Sequence, residues 1–195
     1  MVANPQRLWI SIEEYLELER NNSHIRYEYL DGEIIAMAGS TVDHGRIALN
    51  LAKWLDDRLK HSCHVHTSDI KVQLNATRHV YPDVHVSCEE ADWQGKQDAI
   101  YSPKLIIEVL SPGTEAYDRG RKFLHYQEKV SICEYMLVNW QRQLVEVYRR
   151  ENGKWLYQRY EPDEPIEFAS LKLEMPMDVI YARSTVPLKE TAEQD

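Results

Sequence analysis

Residues 105–110 read Leu105-Ile106-Ile107-Glu108-Val109-Leu110, five apolar side chains interrupted by one carboxylate. A run this short and this apolar suits a strand covered on both faces, because a strand with one wet face alternates apolar with polar residues. Leu105, Ile107 and Val109 then share one face, and Ile106, Glu108 and Leu110 share the other. An ionised carboxylate in such surroundings is costly unless something pairs with it.

Upstream, residues 80–86 read Val80-Tyr81-Pro82-Asp83-Val84-His85-Val86. The alternation predicts another strand, with Pro82, Val84 and Val86 facing one way and Tyr81, Asp83 and His85 the other. If the two strands are neighbours, Asp83 and Glu108 meet on one face. Two carboxylates together repel, so one is protonated or a cation sits between them. Their hard oxygens, with waters and a backbone carbonyl, suit Mg²⁺ or Mn²⁺ better than Zn²⁺.

Downstream, Ser111-Pro112-Gly113-Thr114 turns the chain, and Thr114 is placed to cap a helix running to about residue 129. Asp118, Lys122, His125 and Tyr126 follow at three- and four-residue spacings, hence on one side of that helix. Glu108 lies about 10 Å before the turn at ~3.3 Å per residue. Lys122 lies about 12 Å beyond Thr114 at ~1.5 Å per residue. A helix folding back over the sheet brings Lys122 level with Glu108. Asp, Glu and Lys around a metal form a hydrolytic site for phosphodiesters, in which the lysine orients or deprotonates the attacking water. Lys71, on the strand read from Ile70, Val72 and Leu74, is a substitute for that lysine.

The remaining elements fall around this centre. Ser11 with Glu14 is a capping box that starts a short helix. Asp31-Gly32, between residues 27–30 and 33–37, marks a hairpin, as does Asn152-Gly153 before a return strand over residues 155–160. Ile47, Leu51, Trp54, Leu55 and Leu59 form a helical stripe over residues 43–60. Residues 133–139 and 144–148 read as a hairpin, and residues 168–180 as a last extended stretch. The order predicts an α/β (α+β mixed) fold, a central mixed sheet flanked by helices with added hairpins. One domain spans residues 1–186, and residues 187–195 form a polar, acidic, frayed tail.

The 195 residues include 23 Lys and Arg against 32 Asp and Glu, a net charge of −9. Bulk charge therefore does not drive binding to polyanions, and nucleic-acid contact needs a local basic patch, metal ions, or both. Arg119, Arg121 and Lys122, with Arg149-Arg150, are the local positive patches. No apolar run is long enough for a membrane span, and residues 1–10 do not read as a signal peptide. Cys63, Cys88 and Cys133 are far apart and odd in number, which reads as buried, unpaired thiols in a reducing cytoplasm.

The ordered set formed by Tyr27-Glu28-Tyr29-Leu30-Asp31-Gly32-Glu33, His44, Tyr81-Pro82-Asp83-Val84, residues 105–112, Asp118 with Lys122 and Tyr126, and Glu134-Tyr135-Met136-Leu137-Val138 resembles the Uma2 family. This is a bacterial family of restriction-endonuclease-like proteins, also filed as a domain of unknown function, within the PD-(D/E)XK nuclease superfamily. The resemblance covers roughly residues 10–160. It implies a nuclease core, with Pro82-Asp83 as the first acidic motif and Glu108 as the second. The superfamily's lysine falls two residues after the second acid, where this chain has Leu110; the resemblance points instead to Lys122 on the following helix. Glu28 and His44 match further family positions.

The expected activity is that of a Mg²⁺- or Mn²⁺-dependent DNA endonuclease. Asp83 and Glu108 hold the metal, Lys122, Glu28 and His44 act beside them, and Arg119 and Arg121 contact the nucleic acid. A homodimer follows if both strands are cut together. The alternative is a non-catalytic interaction module that kept the nuclease scaffold, motivated by the acidic charge and by Leu110; hydrolysis of a small phosphoester is a third reading. Plainer readings exist for single residues. Glu28 can pair across its hairpin, His44 can simply open a helix, and Glu108 can form a structural ion pair with Lys122 or Arg121. His61-Ser62-Cys63-His64-Val65-His66 lacks a second ligand pair for zinc. The aromatics at 140–160 read as sheet packing.

Overall fold

The computed structural model describes residues 9–22, 25–37, 39–60, 62–96 and 98–187. His61 and residues 188–195, which hold almost all of the expected tail, lie outside the described residues, as do positions 1–8. Helix α1 (Ile12–Asn21) starts at the Ser11/Glu14 capping box, both of whose hydrogen bonds form. Strands β1 (Tyr27–Leu30) and β2 (Glu33–Ala36) make the first hairpin, with Asp31 and Gly32 at φ 52° and 105°. Helix α2 (Val42–Leu59) buries all five residues of the expected stripe, and Thr41 caps it by accepting the His44 N–H.

Six strands form the central sheet. They are β3 (His64–Thr67), β6 (Val84–Ser87), β8 (Pro103–Val109), β9 (Glu134–Val138), β10 (Val145–Glu151) and β11 (Lys154–Tyr160), in the order β11-β10-β9-β8-β6-β3. The β8–β9 pair is parallel and its other pairs are antiparallel, so the sheet is mixed as expected. A second, five-stranded sheet joins the first hairpin to β4 (Lys71–Asn75), β5 (Arg78–Val80) and β7 (Ala99–Ile100).

The two faces of β8 feed two cores. Leu105, Ile107 and Val109 pack with Val84, Val86, Met136 and the apolar stripe of α2. Ile106 and Leu110 pack with Tyr135, Leu137 and residues of the five-stranded sheet, including Leu30, Val72 and Val80. The continuous apolar run of residues 105–110 thus reports a strand buried on both sides.

Five expectations are corrected. Residues 80–86 are not one strand. The chain leaves the five-stranded sheet after Val80 and enters the central sheet at Val84, because Pro82 has no N–H with which to continue a ladder. Thr114 does not cap the next helix with its side chain; its hydroxyl lies 2.9 Å from the Ser111 hydroxyl. That helix is itself composite, with α3 (Glu115–Tyr117), a π-helical turn over Asp118–Lys122 and α4 (Phe123–Glu128). Residues 168–180 are not extended throughout: β12 (Ile166–Phe168) and β13 (Leu173–Met175) pair, and α5 (Met177–Tyr181) follows. Finally, Cys63 and Cys88 are joined by a disulfide, and Cys133 alone is a free thiol. The register His64↔Ser87 between β3 and β6 sets residues 63 and 88 opposite one another, which no spacing in the sequence reveals.

Candidate active site

Strand register decides the site. Val84 pairs with Ile107, so Asp83, one residue ahead of β6, stands beside Glu108 in the continued ladder. The Val109 N–H donates to Asp83 Oδ2 at 2.8 Å, tying the linker to β8 where the ladder ends. Glu108 is 3% exposed, and both carboxylates line one cleft of about 520 Å³.

Lys122 enters the same cleft from the π-helical turn. Its ammonium lies 2.9 Å from Glu108 Oε1, 2.9 Å from Glu28 Oε1 and 3.8 Å from Asp118 Oδ1. A π turn widens the helix by one residue and recurs at functional sites. Here it buries Asp118 and Lys122 together. His125, expected on the same side, is not among the residues that line the cleft.

The first hairpin contributes Glu28. Its Oε1 accepts the Tyr81 N–H at 3.0 Å, and its Oε2 accepts the Tyr117 hydroxyl at 3.2 Å. Glu28 therefore faces the cleft and does not pair across its hairpin. From the first turn of α2, His44 Nε2 lies 3.2 Å from Asp83 Oδ2. The Tyr126 hydroxyl donates to Glu108 Oε1 at 2.8 Å.

Four carboxylates thus surround one ammonium and one imidazole. Burial pushes the Glu108 carboxyl well above its ordinary value; Lys122 pulls it back, while Asp118, Asp83 and Glu28 push it further up. Burial also raises Asp118 against the pull of Lys122. Burial disfavours the charge on Lys122, but Glu108 and Glu28 outweigh it and raise the group well above the usual lysine range. His44 follows the same pattern: burial opposes its charge, yet Asp83 and the Val109 backbone raise it above 6.5.

Asp83, Glu108, Lys122, Glu28 and His44 therefore share one cavity. Arg119 and Arg121 do not reach it. Arg119 pairs with Glu115 and Glu146, and Arg121 with Glu33. Lys71 pairs with Glu19 and Asp98 in a separate pocket. Asp118 and Tyr117 join the cleft beyond the expected set; the four-residue step from Asp118 to Lys122 was a signal for the first, and none existed for the second.

Among the described residues, no three His, Cys, Asp or Glu side chains form a ready metal cage. Mg²⁺ does not require one, since it is ordinarily held by one or two carboxylates with waters and substrate phosphate completing the shell. Asp83 uses Oδ2 and Glu108 uses Oε1 in their protein contacts, and the excess of carboxylates over cations favours an added positive charge. The donor set fits a hard divalent ion.

Three comparisons with known proteins show the family and the fold. Residues 12–179 match the model of the Uma2 family, described as "Putative restriction endonuclease", and the chain belongs to that family. The uncharacterized protein slr1290 of Synechocystis sp. (strain ATCC 27184 / PCC 6803 / Kazusa) is 37% identical over 175 residues, covering 88% of this chain and 91% of the relative. The uncharacterized protein sll1609 of the same organism is 30% identical over 165 residues, covering 82% and 93%. A crystal structure described as a putative nuclease belonging to DUF820 from Anabaena variabilis ATCC 29413 superposes with a TM-score of 0.73 at 19% identity, over 88% of this chain and 97% of that one. That likeness establishes a shared fold.

Proposed function

Starting from a chain that belongs to the Uma2 family, we propose that the cleft hydrolyses phosphodiester bonds in DNA with the help of Mg²⁺ or Mn²⁺. One observation carries the reading: Asp83, just ahead of β6, and Glu108 on the adjacent strand share a cavity with the Lys122 ammonium, which lies 2.9 Å from both Glu108 and Glu28. Asp83 and Glu108 are the residues that would hold the ion. When bound, such an ion supplies Lewis acidity and offsets charge on the phosphate.

The protein's own groups then divide the work. Lys122, paired with Glu108 and Glu28, is placed to stabilise developing negative charge on the phosphate oxygens. Glu28 and Tyr126 fix its position, the former directly and the latter by holding Glu108. His44, whose imidazole lies 3.2 Å from Asp83 and has its pKa raised by that carboxylate, would be the proton donor to the departing oxygen. Two copies of the chain would bring two clefts to opposite strands, a homodimer that sedimentation can detect.

The test is cleavage of plasmid and oligonucleotide DNA by purified protein with Mg²⁺ or Mn²⁺. Asp83→Ala and Glu108→Ala should each lower the rate at least a hundredfold and abolish calorimetric metal binding. Cleavage by both variants at the wild-type rate overturns the proposal. Absence of cleavage by the wild-type protein with either ion favours the non-catalytic scaffold.

A further inference from the structure

Beside its buried charged groups and several hydroxyls, the cleft is lined by the apolar side chains of Ile35, Ala36, Met37, Ala48 and Leu49 on β2, α2 and the segment between them. Among the described lining residues, Lys122 is the one lysine or arginine, and it is held by Glu108 and Glu28. The two arginines nearest to it in sequence are tied to carboxylates away from the cavity.

A protein that grips duplex DNA does so through its phosphates, commonly with six to ten contacts from lysine, arginine and backbone donors. These walls present no such row of cations. Apolar and aromatic walls suit the face of an unpaired base, which can leave the stack for a closed site. The volume of about 520 Å³ lies within the range, ~300–1,000 Å³, of sites that enclose a small ligand.

We infer that the cleft takes an unpaired nucleotide, its base against the apolar wall of β2 and α2 and its phosphate above Asp83, Glu108 and Lys122. The preferred substrate is a single strand, a gap or an overhang, and not an intact duplex laid across the surface. This inference rests on the nuclease reading and names the substrate class of the same site.

The experiment uses one sequence prepared as a single strand, a gapped duplex and a blunt duplex, each incubated with the full chain and Mn²⁺. The unpaired forms should be cut at least tenfold more efficiently in kcat/KM. Equal or faster cutting of the blunt duplex overturns the inference while leaving the nuclease reading intact. A second measurement does not depend on turnover: fluorescence anisotropy of Glu108→Gln with the same labelled oligonucleotides. Single strand should bind more tightly than duplex, with a log–log salt slope no steeper than about −2, the value for roughly three phosphates. A slope of −4 or steeper, or tighter binding of duplex, overturns the inference. Cleavage of no substrate, together with single-strand-selective binding of shallow slope, rejects the nuclease reading and upholds the ligand assignment. Leu49→Lys, at a half-exposed position on the wall, should narrow the single-strand preference severalfold, and an unchanged ratio counts against the wall as the base's seat.

Discussion

The Lys122 ammonium stands 2.9 Å from Glu108 Oε1, and both side chains are almost entirely withdrawn from solvent. Breaking a buried pair by removing one partner is costly because the other charge stays buried and uncompensated, about 3–5 kcal/mol in comparable cases. Lys122→Met should therefore destabilise the protein by about 3 kcal/mol or more in urea denaturation. Adding Glu108→Gln to it should recover part of that loss, since the orphaned carboxyl is then neutral. Strict additivity of the two changes would show that the pair is not coupled.

His44 and Asp83 make a second prediction. The imidazole should titrate above 6.5 in an NMR pH series, and Asp83→Asn should bring it down. The folded value is the raised one, so the pair's contribution to stability is complete below the unfolded imidazole's range. It fades as pH rises through the folded value. An unchanged midpoint in Asp83→Asn would remove Asp83 as the cause.

His85 behaves oppositely. It is fully buried on β6 beside His66, and neither of its nitrogens has a hydrogen-bond partner among the described residues. Burial, with His66 adding to it, pushes its pKa down to about 3. Folding is thus favoured above the unfolded range, about 6.5, and stability declines as pH falls toward 3, by up to ~1.4 kcal/mol per pH unit. Replacing this side chain by leucine should flatten the pH dependence of the urea midpoint between pH 7 and 4. A profile identical to wild type would assign the acid sensitivity elsewhere.

The Cys63–Cys88 bridge spans 25 residues and ties the chain just after α2 to the end of β6. Denatured under non-reducing conditions, the oxidised protein should show one titratable thiol, Cys133, and three after reduction. A loop of this length corresponds to about 3 kcal/mol in the chain-entropy account. Cys63→Ser should lower the melting temperature to that of the reduced wild type. Three free thiols before reduction would disprove the bridge.

Much of the framework was open to reading because its causes are local. Asp31-Gly32 and Asn152-Gly153 adopt the positive φ that their hairpins demand. The capping box at Ser11 and the stripe along α2 depend on residues three and four apart. Glu108 announced itself because a carboxylate amid five apolar residues must have a partner, and Asp83, after Pro82, followed from the alternation around it and from the family resemblance. The same proline should have divided residues 80–86; the alternation on either side of it masked the passage from one sheet to the other.

By itself, then, the sequence determined which residues could not be left in water or left unpaired: the double-faced strand, the helical stripe, and the acids and lysine that needed each other. Tertiary structure alone decided who met whom. Register placed Asp83 beside Glu108 and Cys63 opposite Cys88, and the widened turn at Asp118–Lys122 brought Lys122 between Glu28 and Glu108. The reason is physical: hydrophobic periodicity is a property of neighbours along the chain, whereas register, disulfide pairing and the sharing of one buried cation depend on segments that touch only after folding.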